Sequence, residues 1–164
     1  MSVSVRAANR TDRETYVRPL VAQLTEHNLP ADPARVGDGV ELAFTPHSLI
    51  WLLLAELDGV AVGILLANQI VSVGKGGYTL WVEELYVVPA ARRRLVATAF
   101  LEHLLTEGRR RGVRAVELEV HRGVRPLSSA GISRRISPTD DLGPELRLCW
   151  DHRGFGSHRR SACP

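Results

Sequence analysis

Two apolar runs joined by Asp58-Gly59 place the strongest constraint on how this chain folds. Residues 48–57 and 60–70 are rich in large aliphatic side chains and are short enough to be strands. Asp-Gly between two such runs favours a two-residue β-hairpin turn, because that turn needs positive φ at its central residues. The sequence therefore predicts an antiparallel pair of strands in the middle of the chain.

A strand–helix–strand unit follows the hairpin. A glycine-containing loop at 71–77 leads into a predicted strand at 78–88, which ends at Pro89. Residues 95–111 carry apolar side chains at helical spacing, and residues 115–120 alternate between apolar and acidic. Strands joined through a helix are parallel and the crossover is right-handed. We therefore expect a parallel pair next to the antiparallel hairpin.

The N-terminal part adds a strand and a helix. A strand is predicted at 4–8, and Thr11 with Glu14 resembles a capping box at the start of a helix. Residues 31–47 contain prolines and glycines, so we expect an irregular or briefly helical segment that lies over the substrate. Residues 1–121 thus form one α+β domain with a mixed, mostly antiparallel central sheet flanked by helices.

Composition excludes several classes of protein. No apolar run approaches the ~20 residues of a membrane helix, and the N-terminus lacks the apolar segment of a signal peptide. Cys149 and Cys163 have no metal or disulfide spacing, and the six histidines form no spaced pair. We therefore expect a cytoplasmic protein with reduced thiols, no metal site and no membrane partner.

Residues 122–164 differ from the rest of the chain in charge. They hold eight arginines against four acidic residues and show little hydrophobic pattern outside 145–150, where alternating residues predict a closing strand. We interpret 122–164 as a divergent C-terminal part of the same domain, with a disordered basic tail as an open alternative. Basic charge attracts nucleic acid, but no nucleic-acid motif accompanies it, so nucleic acid is not the expected partner.

The segment 81–105 carries the chemistry. A strand ends at Pro89, three arginines follow, and small residues then open a helix. The free N–H groups of a helix N-terminus bind anions, and the arginine charges add to that attraction. The residues therefore predict that a phosphorylated ligand binds at this turn, with a merely solvated arginine-rich helix start as the alternative.

Two motifs in this segment resemble those of the GNAT acyl-CoA transferases. Residues 83–89 (Glu-Glu-Leu-Tyr-Val-Val-Pro) are similar to a family strand of the type E-E-L-Y-V-x-P, and residues 92–97 lie where the family has R/Q-x-x-G-x-G/A. The element order of 1–121 is also similar, most of all to the small-amine branch that includes spermidine/spermine acetyltransferases. The resemblance implies a GNAT-like fold in which strands 80–88 and 115–120 form a splayed parallel pair around acetyl-CoA.

The resemblance also implies an activity and assigns binding residues. It implies transfer of an acetyl group from acetyl-CoA to a primary amine, of a small molecule or of a protein, by direct attack on the thioester. The backbone at Leu85, Tyr86 and Val87 would bind the pantetheine arm. The residues implied in the pyrophosphate site are Arg92, Arg93, Arg94, Leu95, Val96, Ala97 and Thr98.

Glu83 would be the catalytic base, because an ammonium with a pKa of about 10.4 must lose a proton before it attacks. Strand alternation puts Glu83 on the face of Trp81, Leu85 and Val87, where a carboxylate is partly desolvated. Glu84 points to the opposite face, beside Val82 and Tyr86, and is expected either to contact a cationic substrate or to lie at a solvated edge. A salt-bridged structural carboxylate is the alternative for Glu83.

The chain departs from the family pattern in the turn and near its C-terminus. Arg93 and Leu95 replace glycines that let the backbone approach a pyrophosphate, and we expect Leu95 to adopt helical angles and still donate its N–H. The family tyrosine that protonates the leaving thiolate is absent. Leu127 takes its place in one alignment, and Trp150 takes it in another, in which a helix begins at Pro144 and ends before Gly154.

These departures leave a second function open. A catalytically weak relative that binds acyl-CoA as a sensor or interaction protein is the alternative to an active enzyme. Edge strands of a mixed sheet can pair with a second copy, so a homodimer is also compatible with the sequence.

Overall fold

The computed structural model describes residues 2–120 and 145–150. The predictions for Leu127 and for the rest of 121–144 and 151–164 lie outside these residues. The described part contains six strands, three α-helices and two short 3₁₀ turns. The elements are β1 Val3–Ala7, a 3₁₀ turn Arg10–Asp12, α1 Arg13–Glu26, α2 Pro33–Ala43, β2 Ile50–Leu57, β3 Val60–Ser72, β4 Gly77–Val87, a 3₁₀ turn Pro89–Ala91, α3 Val96–Arg110, β5 Ala115–Val120 and β6 Glu145–Trp150.

The strands form one mixed sheet in the order β1-β2-β3-β4-β5-β6. The pairs β1–β2, β2–β3 and β3–β4 are antiparallel, whereas β4–β5 and β5–β6 are parallel. Asp58 (φ 50°) and Gly59 (φ 82°) connect β2 to β3 with the positive φ angles that the hairpin prediction requires. The α+β fold with a mixed, mostly antiparallel sheet is therefore confirmed.

The helices cover both faces of the sheet, because alternate strand residues point to opposite sides. On one face, Phe100 and Leu104 of α3 pack against Leu53, Leu80 and Val116. On the other face, α1 and α2 pack over a second core. The buried residues of that second core are Tyr16, Val17, Leu20, Val40, Leu52, Leu54, Ile64 and Tyr86.

The parallel pair β4–β5 separates partway along its length. The paired residues run from Thr79↔Ala115 to Val82↔Leu118. Beyond that point β4 continues to Val87 beside β3, while the end of β5 continues beside β6. The expected splayed pair is present, and it opens at the residues that follow Val82.

Two local predictions differ from the structure, and one open alternative is excluded. Residues 33–43 form a regular helix, because Asp32 accepts the Ala34 N–H as an N-cap and Pro33 suits the first helical position. The capping box is Asn9 with Asp12 rather than Thr11 with Glu14, so a 3₁₀ turn precedes α1. Residues 145–150 form the predicted strand, so the alternative helix between Pro144 and Gly154 is wrong over 145–150.

Candidate active site

A β-bulge in β4 lies where the parallel pair opens. Glu84 pairs with Leu66 of β3, but the next β3 residue, Ala67, pairs with Val82. Glu83 is therefore the extra residue on β4. A bulge of this kind breaks the alternation of side chains along a strand and redirects the side chains at that point.

The bulge changes the face on which Glu83 was predicted to lie. Leu85 and Val87 pack against the α3 core, as does Val82 on the other side of the bulge. Glu83 instead accepts a hydrogen bond from Asn68 Nδ2 at 2.6 Å, and it is exposed. The prediction of a partly desolvated Glu83 beside Leu85 and Val87 is wrong, because strand alternation was assumed to continue through residues 82–84.

Glu84 is the half-buried carboxylate of the pair, and it faces α1. Gln23 Nε2 donates a hydrogen bond to Glu84 Oε2. Burial raises the pKa of Glu84 and the nearby Glu83 carboxylate raises it further, while the hydrogen bond from Gln23 and the charge of His27 oppose the rise. Glu84 is therefore partly shielded from water, and its raised pKa suits a group that accepts a proton.

Two buried polar atoms of α1 lie against this carboxylate pair. Tyr16 is fully buried and its hydroxyl has no hydrogen-bond partner. Burial, followed by the charges of Glu84 and Glu83, raises the pKa of Tyr16, so its phenol stays protonated. Gln23 is 6% exposed, and its Oε1 also has no partner. Such atoms are uncommon in folded proteins, where they frequently mark a functional site.

A polar network connects the C-terminal end of α1 to the turn after β4. Tyr86 Oη donates to Glu26 Oε1 at 2.6 Å, and Arg92 donates to Glu26 Oε2 at 2.7 Å. The Arg92 guanidinium also lies over the Tyr86 ring, 5.4 Å from its centroid. The hydrogen bonds from Tyr86 and Arg92 lower the pKa of Glu26. The resemblance implied that Arg92 lies in the pyrophosphate site. In the structure its side chain bonds to Glu26 and so links the turn to α1.

Some backbone N–H and C=O groups of β4 bond to β3, and others face the gap beside β5, where a ligand could bind them. Val88 N–H donates to Val62 O of β3. In an antiparallel ladder alternate residues repeat this pattern, so Tyr86 is directed to β3 and the backbone groups of Leu85 and Val87 face the gap beside β5. Arg92 Nε already donates to Val87 O at 2.9 Å. Leu85 and the Val87 N–H therefore remain as the β4 groups available to a bound pantetheine arm.

The turn between β4 and α3 contains two residues in the left-handed region. Arg93 has φ 64° and Leu95 has φ 62° with ψ 16°. These are the two positions at which the resembled motif has glycine, the residue that adopts such angles without strain. The expectation that Leu95 adopts right-handed helical angles is wrong. The backbone at Arg93 and Leu95 has the conformation that glycine favours, although both residues carry side chains that disfavour it.

The first turn of α3 leaves backbone donors free. Leu95, its N-cap, provides no side-chain cap, and the first intrahelical bond is Ala99 N–H to Leu95 O at 2.9 Å. The N–H groups of Val96, Ala97 and Thr98 therefore have no acceptor within the helix. Together with the left-handed residues of the turn, they form the type of backbone concavity that binds phosphate groups. The backbone N–H groups of the turn and of the first turn of α3 are therefore suited to bind a pyrophosphate.

The residues from α1 and β3 were missed by the sequence reasoning. Gln23, Glu26 and Asn68 face the carboxylate pair or the turn, but none belongs to a motif. One signal was available: Tyr16, Leu20 and Gln23 follow helical spacing and are all buried, so a polar residue lies on a buried helix face. A glutamine at such a position needs a polar neighbour.

Two further findings concern the described part of the chain. None of its helices is long and apolar enough to cross a membrane. No group of three histidine, cysteine, aspartate or glutamate side chains in residues 2–120 is arranged to hold a metal ion.

Solved structures with the same fold include several acetyltransferases. A predicted acetyltransferase from Clostridium acetobutylicum, solved with acetyl-CoA, is 18% identical, with a TM-score of 0.65 over 85% of this chain and 93% of that one. Ribosomal-protein-alanine N-acetyltransferase from Brucella melitensis biovar Abortus 2308 is 18% identical, with a TM-score of 0.65 over 86% and 94%. AAC(6')-Iy, in complex with the bisubstrate analogue CoA-S-monomethyl-acetylneamine, is 20% identical, with a TM-score of 0.62 over 98% and 100%. These likenesses establish the fold.

Sequence comparison identifies the family. No curated protein is significantly similar to the chain in sequence. The profile of the acetyltransferase (GNAT) family, however, matches residues 13–126, which include the bulged strand, the turn and α3. The chain belongs to the GNAT acetyltransferase family.

Proposed function

We propose that this protein transfers an acetyl group from acetyl-CoA to a primary amine. The observation that carries the proposal is the gap that opens between β4 and β5 after Val82↔Leu118, with a carboxylate pair where β4 leaves its partner and free helix amides beyond its end. Such a gap offers backbone groups to an extended ligand, while the amides at the start of α3 offer an anion site. This arrangement fits a long molecule with a diphosphate at one end.

The chain's own groups divide the binding of acetyl-CoA between strand and turn. Leu85 and the Val87 N–H would bind the pantetheine arm, and the backbone of 93–98 would bind the pyrophosphate. When bound, acetyl-CoA supplies an activated acetyl group as a thioester. Arg93 and Arg94 would add positive charge near the phosphates, whereas the Arg92 side chain holds the turn to Glu26.

The acceptor would meet the carboxylate pair. Glu83 is the base implied by the family motif and Glu84 the substrate contact, and both roles remain predictions. A carboxylate there would attract the ammonium and accept its proton, since only the neutral amine attacks. Proton transfer of this kind contributes roughly 10²–10⁴-fold to the rate.

Three classes of amine are the natural acceptors to compare. The resembled small-amine branch suggests a polyamine. The bisubstrate analogue bound by AAC(6')-Iy suggests an amino sugar such as neamine. The Brucella melitensis protein suggests the N-terminal amine of a peptide that begins with alanine. Two acidic side chains at the acceptor site favour a cationic small molecule over a neutral one.

A catalytically weak, acyl-CoA-binding protein is the second candidate function. It is favoured by the non-glycine residues at the two left-handed positions of the turn, Arg93 and Leu95. Side chains there reduce the room for phosphates, and the missing tyrosine removes a proton donor for the thiolate.

Thiol release from acetyl-CoA in the presence of 1,4-diaminobutane, neamine or an alanine-ended peptide distinguishes the two candidates. Turnover with at least one amine, together with calorimetric binding of acetyl-CoA, supports the enzyme. Binding without turnover supports the acyl-CoA-binding protein instead. No binding of acetyl-CoA at millimolar concentration contradicts both. Glu102→Gln, on the exposed side of α3, serves as the matched control for charge removal.

A further inference from the structure

The two neighbouring glutamates of β4 differ in their surroundings, and the difference deepens the proposed function, on which this inference rests. The bulge turns both side chains away from the α3 core. Glu83 is exposed and is held by Asn68, whereas Glu84 is half-buried and is held by Gln23. Within the described residues, neither carboxylate forms an ion pair with a lysine or an arginine. The pair therefore presents uncompensated negative charge to a ligand.

Gln23 fixes one side of Glu84. Its Nε2 donates to Glu84 Oε2, which leaves Glu84 Oε1 as the oxygen free to take a proton. Gln23 itself is almost completely buried and its own Oε1 has no partner. A buried glutamine whose amide nitrogen binds the carboxylate while its amide oxygen has no partner is a costly arrangement, so the contact with Glu84 is the one that holds this side chain.

The charged and titratable groups around Glu84 come from α1 and the residue that follows it, and from β4. Tyr16 of α1 stays protonated, and the charge of His27, directly after α1, opposes protonation of Glu84. The charge of Glu83 on β4 favours protonation of Glu84, and β3, which pairs with Glu84 through Leu66, has no titratable residue. Glu26 and Tyr86 bond to each other. The net effect of these groups and of burial is a raised pKa of Glu84.

We propose that Glu84, positioned by Gln23, accepts the proton of the acceptor amine, and that Glu83, held by Asn68, binds the acceptor as its ammonium. In this step an N–H bond of the ammonium breaks, an O–H bond forms on Glu84 Oε1, and the neutral amine is left. The neutral amine would then attack the thioester carbon of acetyl-CoA: a C–N bond would form, the C–S bond would break, and the second N–H proton would pass through water to the leaving sulfur. The products are the acetamide and the thiol of CoA, and the one surplus proton returns to solvent.

The assignment reverses the roles that strand alternation suggested for the pair. Glu83 is more exposed and accepts a hydrogen bond from Asn68, so its carboxylate is placed to contact a cation from solvent. Glu84 is poorly solvated, so charge on it is less favourable and a proton on it more favourable. The bulge is the reason that one strand can offer both groups to one ligand.

Kinetics of the matched variants Glu83→Gln and Glu84→Gln test the division of roles. The amine used is the member of the panel above with the highest kcat/KM. We expect Glu84→Gln to lower kcat by roughly 10²–10⁴-fold and to remove the fall of kcat/KM at acidic pH. Glu83→Gln should raise the KM for the amine about tenfold and keep kcat within about threefold. The fall of kcat/KM at acidic pH, the acidic limb of the pH profile, should remain in this variant. The opposite pattern, or equal losses of kcat in both variants, overturns the proposal.

Gln23→Leu tests the positioning role. Because the hydrogen bond from Gln23 opposes protonation of Glu84, its loss should move the acidic limb of the pH profile to higher pH. A role in packing alone would lower the stability without moving the limb. A limb that stays in place in a folded Gln23→Leu protein contradicts the positioning role.

Binding provides a readout that needs no turnover. Calorimetry with 1,4-diaminobutane in the absence of acetyl-CoA should show about tenfold weaker binding to Glu83→Gln and a change within about threefold for Glu84→Gln. If Glu84→Gln weakens binding as much as Glu83→Gln, the division of roles is wrong even where acetyl transfer is confirmed. If no amine is acetylated yet the binding difference is found, acetyl transfer fails and Glu83 remains the ammonium site.

Discussion

Leu95 provides the sharpest test of the backbone geometry at the proposed pyrophosphate site. It is a non-glycine residue with φ 62°, it is the N-cap of α3, and it is 73% exposed. The left-handed conformation costs a residue with a Cβ roughly 1–2 kcal/mol. Because the side chain is largely in solvent, Leu95→Gly removes this strain with little loss of packing.

The expected gain is smaller than the strain. Glycine makes the unfolded chain more flexible, which offsets roughly 0.4–1 kcal/mol of the benefit. We therefore expect Leu95→Gly to raise the free energy of unfolding by about 0.5–1 kcal/mol. For a chain of this length that corresponds to a rise in Tm of about 1–4 °C.

Denaturant unfolding and calorimetry measure the effect, with Glu102→Gly as the matched control. Glu102 is exposed in the middle of α3, where a right-handed backbone makes glycine unfavourable by roughly 0.5–1 kcal/mol. The two substitutions should therefore have opposite signs. If Leu95→Gly lowers the stability as Glu102→Gly does, residue 95 is not left-handed in solution and the description of the turn is refuted.

Two other residues give predictions on stability. Tyr16→Phe removes a buried hydroxyl without a partner, so we expect unchanged or higher stability, by up to about 1 kcal/mol in chemical denaturation, whereas a loss above 1 kcal/mol would show that the hydroxyl is bonded. The hydrogen bond from Arg6 lowers the pKa of Asp12 from 3.8 to about 2. The stabilisation by this group is therefore present above pH 4 and lost as the pH falls towards 2. The Arg6 side chain is 42% exposed and solvent screens the pair, so the loss should be about 1 kcal/mol or less, and it should disappear in Asp12→Asn when unfolding is followed against pH.

Local sequence signals predicted the parts of the fold that depend on one segment at a time. Asp58-Gly59 has the φ angles that define its turn, and Gly112 (φ 72°) follows α3 as its pattern indicated. The apolar spacing of 95–111 and the alternation of 115–120 led to α3 and β5 within one residue or so. In each case the residues that fix the geometry lie within the element or directly beside it.

The bulge could not be predicted in the same way. It is a mismatch of one residue between two strands, so it depends on how residues 66–67 of β3 align with 82–84 of β4. Nothing in Glu83-Glu84 alone shows which of the two is the extra residue. The face of each carboxylate, and therefore its solvation, followed only once the register of both strands was known.

The turn before α3 shows how a backbone conformation persists without the glycines suited to it. The buried residues Ala91 and Val96, which are 3% and 2% exposed, hold the chain at either side of the turn. Arg92 adds a further attachment through its hydrogen bonds to Glu26 and to Val87 O.

The four residues 92–95 must connect buried Ala91 to buried Val96. This connection imposes the left-handed angles at Arg93 and Leu95, although the side chains of these two residues disfavour them. Strain of this kind is kept only where the surrounding structure determines the conformation. The geometry that presents backbone N–H groups to a phosphate is thus set by packing on both sides of the turn, so substitutions that loosen Ala91 or Val96 should disturb the anion site more than changes at the exposed residues between them.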